Sequence, residues 1–119
     1  ELIAMAAVEA AERALGYTPR DVSRDRVGYD IESGRSGHPL RFLEVKGRQT
    51  GAETVTVTAN ELRTALNRPE QFILALVEVA ETGPVVRYVR QPFAQAPDFG
   101  VDSVNYRWRD LWQRGTEPV

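Results

Sequence analysis

The chain has no cysteine, which excludes disulfides, thiol nucleophiles and cysteine-ligated zinc and suits a cytoplasmic protein. It has one histidine, His38, beside a proline and close to glycines. No histidine-built metal site can form, so any metal would have to be held by oxygen. No apolar run approaches the about 20 residues that a membrane-spanning helix needs, and nothing resembles a signal peptide, so no membrane role is expected. There is no basic excess either. A formal net charge of −2 does not suit a protein that grips nucleic acid by its overall field, although a local basic surface stays open. Lysine is the scarcest of the charged residues. Of 15 basic residues only Lys46 is a lysine, and the rest are arginine.

What is present suits one domain. The 119 residues, 42% of them hydrophobic and 27% charged, are enough to bury a single core, and the whole span 1–119 is expected to fold as one unit. Because the sequence starts at Glu1 without a methionine, it is expected to be a piece of a longer chain. Residues 2 to 15, rich in alanine and followed by Gly16, predict a helix. "YTPRDVS", "GYDIES" and "LRFLEVKGR" predict three extended segments, the last two joined by the polar turn "GRSGHP". "TVTVT" alternates and predicts a strand near a sheet edge. Thr58 and Glu61 then form the capping pattern T-x-x-E, opening a helix through about Asn67. "FILALVEVAE" and "VVRYVRQ" flank "TGP" as a hairpin. After the proline-rich 91–100 a last helix is expected near "VNYRWRDLWQR". The order α-β-β-β-β-α-β-β-α predicts an α/β fold, a mixed sheet flanked by helices.

The stretch "FLEVKGR", residues 42 to 48, carries the sharpest chemical signal. Side chains alternate along a strand, so Leu40, Phe42, Glu44 and Lys46 share one side while Leu43 and Val45 take the other. Both sides are apolar before the charges begin, the pattern of a strand covered on both faces. A carboxylate and an ammonium at its end are costly unless they are paired, bound to a metal or set in a cleft. Lysine and arginine differ in ways that chemistry can use, and the one position kept as lysine is this one.

Asp30, in "GYDI", lies on the preceding strand of the expected hairpin, where it can approach Glu44. Two carboxylates together repel unless a divalent cation neutralises them, and Lys46 beside them can meet a phosphate or steady an attacking water. On the first helix Val8, Leu15 and Met5 mark the apolar face, and Glu12 falls inside it. A glutamate there either snorkels outward or has a partner.

In this order of elements, Asp30, Glu44 and Lys46 resemble the PD-(D/E)xK nuclease superfamily, although Tyr29 stands where its motif has proline. A fuller resemblance, carried by "AERALGYTPRDVS", "GYDIES", "RFLEVKGR" and "TVTVTANE", is to the domain named after the C-terminal region of the plant NO VEIN protein. Such domains often end long bacterial helicase-like proteins, some encoded with genome-defence genes. The resemblance implies a restriction-endonuclease-like core and a metal-dependent cut in DNA. Asp30 and Glu44 would hold Mg2+ or Mn2+, with the Val45 carbonyl and, directly or through water, Glu12. Lys46 would be the catalytic lysine. It also implies a helicase-like region of the parent protein as partner. A fold that no longer cuts and serves as a nucleic-acid-binding or protein-interaction module is the alternative, and the oligomeric state is left open.

Weaker signals surround these. Asn60 and Glu61 are first of all capping residues, although their helix can face the cleft and touch DNA. Arg48, Arg63 and Arg68 are candidates to meet phosphates. Trp108 and Trp112, at i and i+4, predict a helix packed on the core rather than a base-stacking platform.

Overall fold

The computed structural model describes residues 2–119. Helix α1 (Leu2–Ala14) is followed by β1 (Thr18–Asp21), a short 3-10 turn (Ser23–Asp25), β2 (Ile31–Gly34) and β3 (Arg41–Gln49). Then come β4 (Thr54–Thr58), α2 (Ala59–Asn67), β5 (Phe72–Ala80), β6 (Gly83–Arg90), β7 (Ser103–Arg107) and α3 (Trp108–Arg114). Five strands form one sheet in the order β1-β2-β3-β5-β6. The central β3–β5 pair is parallel and the other neighbours are antiparallel, so the sheet is mixed as the element order predicts.

A parallel central pair needs a crossover, and here α2 supplies it. Strand β5 is apolar at every position from Phe72 to Val77 and buried there, because layers cover both of its faces. Ile73, Ala75 and Val77 meet Ala4 and Val8 of α1 on one side. Phe72, Leu74 and Leu76 meet Val55, Val57, Leu62, Trp108 and Leu111 on the other. Each fully buried Leu or Ile there contributes about 1.5–3 kcal/mol.

Two expectations change. Residues 103–107 are a strand, not the beginning of the last helix, which starts at Trp108. Along "SVNYR" Val104 and Tyr106 turn inward while their neighbours stay exposed, a two-residue period that pairs with the same period in "TVTVT". The order is therefore α-β-β-β-β-α-β-β-β-α. And β4 is not an edge strand of the main sheet. With β7 it forms a separate two-stranded ribbon over one face of that sheet. Trp108 and Trp112 do stack on each other, and Trp108 packs into the core as the spacing predicts.

Two glycines set close approaches. Gly47 follows Lys46 in β3, and a Cβ there would come within 2.7 Å of the Ala4 side chain, so α1 can lie this near only because that position is bare. Gly28 has φ +92°, and a Cβ on it would lie 2.1 Å from the Thr64 hydroxyl of α2. It packs the segment before Asp30 against that helix. Gly28→Ala meets both the strained backbone and the clash, and is expected to lower unfolding stability by about 2 kcal/mol or more. Urea denaturation checks this, and an unchanged midpoint would mean that α2 and the 22–30 segment are not packed as described.

Candidate active site

The cleft lies where β2 stops short. It pairs with β3 only as far as Ile31 opposite Leu43, and the Asp30 N–H closes that ladder on the Leu43 carbonyl at 2.9 Å. Beyond Leu43 that edge of β3 has lost its strand partner. The Asp30 carboxylate takes the partner's place, its Oδ2 accepting the Val45 N–H at 2.9 Å. The N–H and C=O of one strand residue point to the same edge, so the Val45 carbonyl faces this opening too.

Alternation then does the rest. Ile31, Ser33, Arg41, Leu43 and Val45 face α1, whereas Asp30, Phe42, Glu44 and Lys46 face the ribbon and α2. Asp30, Glu44, Val45, Lys46, Arg48 and Glu61 line one cleft there. Glu44 is only 3% exposed, so its charge has little water to stabilise it. Lys46 Nζ lies 3.3 Å from Glu44 Oε2 and 2.9 Å from Glu61 Oε1.

The electrostatics follow from burial and crowding. Burial raises the Asp30 pKa, against the Val45 N–H and a hydrogen bond with Glu44. Glu44 is pushed up to about 10, first by burial and then by the negative charges of Asp30 and Glu61, with Lys46 opposing. Burial pulls the Lys46 pKa down, but Glu44 and Glu61 outweigh it, and the net shift is upward. Near neutral pH, with no cation bound, Glu44 holds a proton and Lys46 is an ammonium paired chiefly with Glu61.

The remaining sequence candidates divide. Asn60 lines the cleft's α2 wall beside Glu61. Arg48 lies at the cleft, its guanidinium donating to the Thr54 carbonyl. Arg63 is exposed, and two residues along a helix rotate about 200°, so it stands on the far side of α2 from Glu61. Glu12 corrects the reading of the first helix. It is fully buried, but on the opposite face of the sheet, where Oε2 accepts from Arg41 at 2.9 Å and from the Tyr88 hydroxyl at 2.7 Å. Both partners engage Oε2, while Oε1 is buried without a hydrogen-bond partner, and the sheet separates Glu12 from Asp30 and Glu44. It does not fit a place in their ligand set. Two cleft residues escaped the sequence reading as site residues. Glu61 showed only its capping signature, and Arg26, at the rim beside Asp30 and Glu44, gave no signal at all.

The family described as "Protein NO VEIN, C-terminal" matches residues 1–89. The chain belongs to that family. No curated protein matches it. Among solved structures, the Holliday junction resolvase Hjc of Archaeoglobus fulgidus, an archaeal hyperthermophile, is similar over 93% of both chains, with a TM-score of 0.59 and 12% sequence identity. At that identity the likeness carries the fold alone. This NO VEIN C-terminal domain has a restriction-endonuclease-like fold. Among the described residues, no helix is long and apolar enough to cross a membrane.

The proton on Glu44 has a measurable consequence. A carboxyl whose folded-state pKa is raised keeps a proton that the unfolded chain has already released, so stability falls as pH rises from the ordinary carboxylate range towards about 10. Without metal, the domain is expected to lose stability steadily between about pH 5 and about pH 9. Glu44→Gln is expected to flatten that slope and to be the more stable protein at the alkaline end. Equal slopes in urea titrations of the two proteins would contradict the assignment.

Proposed function

We propose that this domain is a metal-dependent phosphodiesterase acting on DNA. One observation carries the reading: an aspartate locked by a backbone hydrogen bond at an open strand edge, on the same face as a buried Glu-x-Lys, in a resolvase-like fold.

The residues suit a hard cation. Among the described residues, no group of three histidine, cysteine, aspartate or glutamate side chains is set to hold an ion by itself. Two carboxylates with raised pKa and a backbone carbonyl are enough for Mg2+ or Mn2+, which keep waters and take phosphate oxygens as further ligands. Asp30 would hold the ion through the oxygen not engaged by Val45. Glu44 would join once its proton leaves, and the Val45 carbonyl would complete the protein's share. A bound divalent cation would supply Lewis acidity at the phosphate and a water of lowered pKa.

Lys46 would aim the attacking water and offset the charge that builds on the phosphoryl oxygens. Its stem lets a compact ammonium reach either, which a planar guanidinium does not do in the same space. Arg48 and Asn60 would hold the backbone of the strand on either side of the cut. Arg63, facing away from the cleft, would contribute only to a partner wrapped further around α2. As a module of a longer helicase-like protein of a genome-defence kind, the domain would receive DNA from an attached motor.

The test is single-turnover cleavage of plasmid, single-stranded and four-way-junction DNA with Mg2+ or Mn2+. Wild type is expected to cut at least one of them. Lys46→Arg keeps the charge and is expected to fold but to cut at least about tenfold more slowly, a loss of about 1.4 kcal/mol in transition-state stabilisation. Equal rates would remove Lys46 from the chemistry. A wild type that cuts none of the three with either metal would overturn the nuclease reading in favour of a binding module.

A further inference from the structure

Lysine is a poor anchor by itself, because its ammonium sits on four rotatable carbons. In this cleft it has two acceptors, and they are not equivalent. Glu61 Oε1 is the nearer, at 2.9 Å against 3.3 Å for Glu44. Glu61 is also the better fixed. Its Oε1 accepts the Thr58 N–H at 3.0 Å, and its own N–H donates to the Thr58 hydroxyl at 3.2 Å, a complete capping box. The helix start that carries it is tied down in turn, the Ala59 N–H donating to the Asp102 carbonyl at 2.7 Å. The side chains of Lys46 and Glu61 are only 17% and 16% exposed, so this is not a mobile surface pair.

We propose that Glu61 is a positioning residue for Lys46, drawing the ammonium towards the α2 wall of the cleft so that it bridges Glu61 and Glu44 instead of closing on Glu44 alone. The proposal rests on the nuclease reading of the cleft. Its reason is competition. Lys46 and a divalent cation both seek the Glu44 carboxylate, and a lysine with no other partner would occupy the oxygens that the ion needs. Glu61 gives the ammonium a second, charged acceptor on a rigid helix turn. Lys46 then stands beside the ion's site without blocking it.

The single lysine makes this directly observable. The 119-residue chain labelled with 15N in lysine gives one side-chain ammonium signal, with no assignment problem. Glu61→Gln separates the two roles of Glu61, because glutamine also serves in a capping box but has no charge for Lys46. Thr58→Ala does the converse: it removes the hydroxyl half of the cap and keeps the backbone N–H that holds Oε1. Wild type and Thr58→Ala are expected to show the ordered ammonium signal near neutral pH. Glu61→Gln is expected to lose it to solvent exchange.

In single-turnover cleavage, Glu61→Gln is expected to be at least about tenfold slower and Thr58→Ala within about threefold of wild type. A signal that persists in Glu61→Gln overturns the proposal. So does a lost signal with an unchanged rate, and so does a Thr58→Ala that behaves like Glu61→Gln, since the cap alone would then explain both. If wild type cuts nothing, the nuclease reading fails first, and the ammonium signal still decides whether Glu61 orders Lys46.

Discussion

The arrangement of the cleft depends on one hydrogen bond, from the Val45 N–H to the Asp30 carboxylate. Where β2 ends, β3 would otherwise present an unpaired donor at a half-buried position, a cost of about 1–3 kcal/mol. Asp30 satisfies that donor with a side chain instead of a strand carbonyl. The same contact fixes the carboxylate relative to the next two residues that matter, because Glu44 and Lys46 flank Val45 on one continuous strand. An end-of-strand repair thereby sets the spacing of two acids and an ammonium. Asparagine or aspartate could make the repair, but only aspartate adds the negative charge that raises the Glu44 pKa.

The sheet divides the buried charges into two groups with different consequences. On the α1 face, Glu12 is met by Arg41 and Tyr88, and the Arg41 guanidinium also lies 4.4 Å from the centre of the Tyr17 ring. That group ties the helix to two strands and leaves no acid in excess. On the ribbon face three acidic side chains, Asp30, Glu44 and Glu61, stand around one ammonium, with a proton on Glu44 near neutral pH. This excess of negative charge is what a cation would neutralise, and it is held in place by packing rather than by its own electrostatics. Gly28 and Gly47 serve the two faces, the first seating the Asp30 segment on α2 and the second seating α1 on β3.

The legible parts of the sequence were those written in short-range periodicity. Alternation alone put Glu44 and Lys46 on one face, and the polar turn before "LRFLEVKGR" put Asp30 within reach of them. The T-x-x-E cap was read correctly as well. What stayed hidden depended on partners distant in the chain. The burial of Glu12 was visible, but its partners, Arg41 and Tyr88, lie 29 and 76 residues away. Strand β7 was hidden because a five-residue alternation next to two tryptophans at helical spacing reads as helix until β4 is there to pair with it. The role of Glu61 towards Lys46 was masked by its own cap, which explained the residue fully at the local level.

The central claim is that Asp30 and Glu44 together form a cation site whose occupation expels the proton from Glu44. Calorimetric titration of the domain with Mn2+ near neutral pH, in two buffers of different ionisation enthalpy, measures both the binding and the protons released. The account predicts one ion per chain with about one proton released, unchanged binding in Glu12→Gln, and no binding in Asp30→Asn. Binding that survives Asp30→Asn, or a wild type that takes up no ion, would contradict it.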